Sequence, residues 1–234
     1  MSKRGDLIEL SAVSVAKYGL VYSEILGWID LGHAAGTDIQ NILKQMEQGE
    51  KRQDSHYEIV YSQSMYKFGH RMGMGVHARW RVMKGRNLES RYSIALAMMM
   101  RTALRFENLQ ASIPFSWTTD SGFSAEDLVS DLLGFYRVVR PMNYFPHLCL
   151  ISKQEALKRW DHYGSIGNYK NKLFRPMLFP DPIKNKGARP IYGELPAFMK
   201  DILPYNNFTN GAVNIITNNG SHMNIGLQPM KGLR

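Results

Sequence analysis

Cysteine is almost absent. A single thiol, Cys149, stands in the 234 residues, which excludes an intramolecular disulfide and any thiolate cluster for a metal. Long apolar runs are also missing: the longest, around Ile94–Met100 and Phe145–Ile151, fall far short of the roughly 20 residues that a membrane-spanning helix requires. The N-terminal MSKRGDLIEL carries positive charge without a sustained apolar stretch or a small-residue cleavage site behind it. The expectation is therefore synthesis in the cytoplasm with no signal peptide. Acidic residues are in short supply, 20 against 29 lysines and arginines, for a net charge of +9. Such a field favours polyanions, whether nucleic acid, an acidic membrane surface or an anionic cell-wall polymer. The basic residues gather near His70–Arg86 and Lys153–Lys186 and form no single run of the kind that marks a nucleic-acid tail.

What the chain does hold is 44% apolar content, enough for one sizeable core. The expected architecture is α+β, a mainly helical core with a small antiparallel β ribbon. One globular domain over residues 1–234 is expected, with the core motifs in 25–140 and an irregular Pro/Asn/Gly-rich extension over 141–234. Ile25–Leu31 is mostly apolar and bounded by Gly32, which suits a short buried strand. Thr37 followed by Gln40 is a capping-box pattern, and Ile39, Ile42, Leu43 and Met46 repeat at helical spacing as far as Gly49. His56–Met65 and Val76–Met83 read as two strands of a ribbon, whose alternation puts His77, Arg79 and Arg81 on one face. Asn87 can cap a long helix to about Asn108, and Ser124 with Asp127 caps a third that ends at Gly134. Eight prolines between Pro141 and Pro204 rule out long helices there, apart from Gln154–Tyr163 and a short one near Ala197–Ile202. Ala212–Thr217 is the only strand-like run of the tail.

Glu107 carries the sharpest physical expectation. Tyr92, Leu96, Met99 and Ala103 form an apolar stripe at helical spacing, and Glu107 continues it toward the core. Its neighbours one turn away are Ala103, Leu104, Gln110 and Ala111, so no helical ion pair is available. A tertiary partner or a raised pKa must compensate, which is how a general acid or a metal ligand is made. The alternative is a helix that frays at Phe106 and turns Glu107 to solvent. His33 follows a glycine and precedes a helix start, so it can meet an anion; a histidine hydrogen-bonded within a turn is the plainer account. Asp30 can orient His33 only if Gly32 bends the strand. Glu126 and Asp127 open the third helix, where acidic residues serve as caps before they serve as catalysts. Cys149, among apolar neighbours, reads as a buried, inert thiol.

The segments GWIDLGH, LRFENL and SGFSAEDLVSDLLG, in that order, resemble a bacterial family of envelope- and lipoprotein-associated domains of unknown function, over about residues 25–134. Its segments typically read GFIDxGH, WHE and SxFSxEDLYSNLLG. His33, Glu107, Glu126 and Asp127 match; Phe106 stands in place of a histidine, Ala35 of an arginine and Asp131 of an asparagine. The resemblance implies a shared fold and an envelope association. From residues and resemblance together, the expected function is a hydrolase acting on an anionic envelope polymer such as peptidoglycan, with Glu107, His33, Glu126 and Asp127 as catalytic candidates. His77, Arg79, Arg81 and Trp117 are the substrate-binding candidates. A divalent metal on His33 and Glu107 would make a poor zinc set, lacking the family's second histidine. A toxin exported by a dedicated secretion system, with an immunity protein as partner, would reconcile the envelope association with the missing leader. The alternatives are a non-catalytic nucleic-acid or protein-binding module using the basic ribbon, and an enzyme acting on nucleotides or RNA.

Overall fold

The computed structural model describes residues 2–67, 72–111 and 123–225. In chain order the elements are β1 (Leu20–Ser23), β2 (Gly27–Asp30), α1 (Thr37–Glu50), β3 (His56–Lys67), β4 (Met72–Met83), α2 (Leu88–Ala111), α3 (Asp127–Val139), α4 (Lys153–Tyr163), β5 (Met177–Leu178), β6 (Ile191–Tyr192) and β7 (Val213–Ile225). This is an α+β protein. Its contacts group into two compact units, Met1–Thr37 with Gln110–Asp201 and Asp38–Leu109 with Ile202–Arg234. The stretch beyond Pro141 is thus shared between both units. Among the described residues no helix is long and apolar enough to cross a membrane.

The first unit holds a four-stranded sheet in the order β1-β2-β5-β6. The expected strand over 25–31 is the second arm of a hairpin: β1 pairs antiparallel with β2 from Leu20↔Asp30 to Ser23↔Gly27. Ser23 ties its turn, accepting from the backbone of Ile25 and Leu26 and donating to the Leu148 carbonyl. Behind the hairpin, Trp28 packs edge-on against Tyr22, Trp160 and Phe179 at 5.0, 5.8 and 6.2 Å between centroids. Burying each such ring contributes about 1.5 to 3 kcal/mol. Tyr22 donates to the Phe179 carbonyl and accepts from its N–H, and burial pushes its hydroxyl pKa up to about 12. Arg159, 3% exposed, donates to the same carbonyl and to Glu24 and lies over the Tyr22 ring.

α3 continues past Gly134 to Val139, five residues beyond the expected stop. α4 starts one residue before its expected span, ends with it at Tyr163, and is capped by Ser152, which accepts from the Glu155 N–H. The helix expected at 197–202 is one 3-10 turn, Ala197–Met199. Cys149 is exposed, with a left-handed φ of 48° that turns it away from its buried neighbour Leu148. The expected burial of this thiol is therefore wrong.

The second unit is built on the antiparallel sheet β3-β4-β7. The ribbon lies where alternation predicts it, with Val76, Ala78, Trp80 and Val82 buried. β7 extends the tail's strand-like run and adds a third strand to β4. On α1, Gln45 bonds both the N–H and the carbonyl of Val60. α2 begins where Asn87 accepts from the Ser90 N–H, and its buried stripe is Leu96, Met99, Ala103 and Glu107.

Candidate functional site

The GWID strand and the EDLVSDLLG helix meet within the first unit, and their meeting gathers five ionisable side chains. β2 ends at Asp30, whose Oδ1 accepts from the backbone N–H of Gly32 at 2.7 Å and of His33 at 3.3 Å. This Asx-type turn bends the chain as the sequence required and leads into a 3-10 turn, His33–Ala35, closed by left-handed Gly36. Asp30 thus sets the backbone of His33. The ring is oriented by another residue.

α3 supplies that residue. Helical spacing puts Glu126, Ser130 and Gly134 on one line and Asp127 and Asp131 on the next. Ser130 Oγ accepts from the Asp30 N–H at 3.0 Å. Asp131 Oδ1 meets His33 Nδ1 at 2.8 Å. One turn further, two glycines let backbone touch backbone: a Cβ on Gly134 would come within 2.7 Å of the His33 carbonyl oxygen, and one on Gly36 within 2.4 Å of the Gly134 oxygen. Arg137 completes the seam by donating to the Ala34 carbonyl at 2.6 Å.

The electrostatics follow from this packing. Burial, the largest single influence, disfavours charge on His33, but the charge and hydrogen bond of Asp131 together with the charges of Asp127 and Asp30 outweigh it, so the imidazole pKa stands well above 6.5. The side chain keeps 39% exposure, so water screens part of this field. Its Nε2 makes no hydrogen bond among the described residues. Glu126 is 1% exposed. Burial raises its pKa, against the lowering effect of its own backbone N–H, the Ser2 hydroxyl and His33; nearby Asp30 raises it further. Its Oε2 is buried without a hydrogen-bond partner. A partly exposed imidazole whose protonated form is favoured, beside a buried carboxyl whose neutral form is favoured by burial, is an arrangement suited to proton donation.

The sequence candidates fare differently. His33 and Glu126 come together, close enough for the imidazole to act on the carboxyl. Asp127 joins them, and its Oδ2 also accepts from the Ser124 N–H at 3.0 Å, which is the capping role weighed against catalysis. Asp131 was missed as a site residue, although its position four residues after Asp127 puts both on one helix face. Glu107 is 4% exposed within α2, so the fraying alternative is wrong. It belongs to the second unit and His33 to the first. Among the described residues no group of three His, Cys, Asp or Glu side chains stands ready to hold a metal.

On the ribbon, His77, Arg79 and Arg81 share a face, but Glu58 stands across from them, 3.1 Å from Arg81 and 3.9 Å from Arg79. The cationic face is thereby partly neutralised. Burial, then Arg79 and Arg105, lowers the His77 pKa. Trp117 lies outside the described residues. No protein-family model matches the chain, and no curated protein or solved structure is significantly similar to it.

Proposed function

We propose that this protein is a hydrolase of an envelope polymer, with His33 as the proton donor to the leaving group. One observation carries this: the 2.8 Å contact of His33 Nδ1 with Asp131, on a ring that still reaches solvent. A carboxylate fixed on Nδ1 orients the imidazole and leaves Nε2 as the working atom, the logic of carboxylate–histidine pairs in hydrolases generally. Held protonated near neutral pH, Nε2 gives its proton to the leaving atom as the linkage breaks. The attacking water loses a proton in turn, and half-buried Asp30 is the carboxylate assigned to take it. Glu126, buried from solvent, acts on His33 without touching substrate.

The polymer's class is supported by the net charge of +9, which draws an anionic strand to the surface, and by the envelope resemblance of the GWIDLGH and SGFSAEDLVSDLLG segments. Peptidoglycan fits both. An exported toxin with a partner immunity protein is a setting in which such a hydrolase would act.

Incubated with purified peptidoglycan sacculi, the protein should release soluble fragments. His33→Ala and Asp131→Asn should each lower kcat by about a hundredfold or more while the far-ultraviolet spectrum stays unchanged. Intact sacculi, or full turnover by His33→Ala, would refute the proposal. Expression behind a periplasmic leader should arrest bacterial growth, and arrest from cytoplasmic expression alone would contradict it.

A further inference from the structure

The β1-β2 register carries one more side chain to this site. Leu20 pairs with Asp30, and the next step outward is kept by a hydrogen bond from the Leu31 N–H to the Gly19 carbonyl at 2.9 Å. A further step sets Tyr18 opposite Gly32, one residue before His33. The contact is real: a Cβ on Gly32 would lie 3.2 Å from Tyr18 Cδ1 and 3.6 Å from Cε1. Gly32 has an ordinary right-handed conformation, φ −65°. Its backbone therefore does not demand glycine, whereas the Tyr18 ring and Asp30 Oδ1 crowd the place a side chain would take. An aromatic ring set against a glycine often serves to cover it. Tyr18 covers little, because 79% of the residue remains exposed. A large ring thus stands against the turn that holds His33 with most of its surface open.

We infer that Tyr18 is a stacking platform for a sugar ring of the substrate, which makes the polymer's glycan, rather than its peptide, the part presented to His33. This rests on the hydrolase proposal above. The face of a pyranose ring carries aligned C–H groups, and an open aromatic face takes it up through dispersion and the hydrophobic effect without requiring charge. The basic surface holds the anionic polymer at long range, and the ring fixes which residue of it reaches Nε2.

The test uses uncharged N-acetylglucosamine oligomers as the binding probe, so that the protein's net charge cannot substitute for stacking, and sacculi as the turnover substrate. The whole chain should bind the oligomers saturably in calorimetric titration. Tyr18→Ala should weaken binding about tenfold and raise KM on sacculi with kcat little changed, while Tyr18→Phe and Tyr18→Trp stay within about twofold of the parent. Val15→Ala removes another exposed side chain of the same segment, 81% exposed, and should have no effect. Absence of saturable binding, unchanged affinity in Tyr18→Ala, or equal weakening by Val15→Ala would overturn the platform. Oligomer binding that depends on Tyr18 in a protein without turnover would uphold the platform and refute hydrolysis. Turnover with a KM indifferent to Tyr18→Ala would do the reverse.

Discussion

Gly134→Ala should unseat the His33 turn. In a helix free of neighbours the exchange favours alanine by about 1 kcal/mol, because glycine loses more backbone freedom on folding. Here the added Cβ would meet the His33 carbonyl oxygen at 2.7 Å, the Gly36 nitrogen at 3.1 Å and the Gly36 Cα at 3.2 Å. All three are backbone atoms, so none can rotate aside, and relief requires the 33–36 turn to lift off α3. Overpacking costs about 1 to 3 kcal/mol, with immovable obstacles at the upper end. Subtracting the propensity gain leaves a loss of about 2 kcal/mol, or a Tm lower by about 4 to 8 °C for a chain of this size. Differential scanning calorimetry measures it, with Gly187→Ala as the control, since a Cβ there meets nothing within 4 Å. An unchanged or higher Tm for Gly134→Ala would show that the turn is not packed on α3 as described.

Glu126→Gln tests the buried acid. A carboxyl whose folded pKa is raised binds its proton more tightly in the native state, so its contribution is full below the unfolded value near 4.5 and falls as pH rises toward the folded value. The amide cannot ionise, so the variant should match the parent at pH 4 and exceed its Tm at pH 8; a gap that widens in acid would contradict this. Arg159→Leu leaves the Phe179 carbonyl without its guanidinium donor and frees Glu24 to water. Chemical denaturation should show a loss of about 2 kcal/mol or more, and a change under about 0.5 kcal/mol would mean that this buried cation contributes little.

Where local rules decide, the sequence was enough. Asn87 capped α2, and the stripe through Leu96, Met99 and Ala103 carried Glu107 into the interior because helical period alone fixes that direction. Asp127 takes the Ser124 N–H on its carboxylate as the local pattern predicts, although α3 itself starts from Glu126 as its N-cap and not from Ser124. Gly134 misled, since a glycine after an apolar run resembles a helix stop. What requires it is contact with residues about 100 positions earlier in the chain, which no local pattern records. Asp131 was passed over on similar grounds: its role is set by His33 across the fold, although its one-turn spacing from Asp127 was visible. The β1 arm escaped notice because LVYS runs without a turn signal into EILGWID. Cys149 was misjudged from apolar neighbours, when a left-handed φ decided its exposure.

The protonation of His33 can be read on its own resonance. In wild-type protein followed by NMR across pH 5 to 9, the His33 ring signals should titrate well above 6.5, and in Asp131→Asn they should move back toward that value. The stability the imidazolium contributes should be full below 6.5 and disappear as pH rises through the folded value. A His33 that titrates at its ordinary pKa in the wild type, or that is indifferent to Asp131→Asn, would contradict the site.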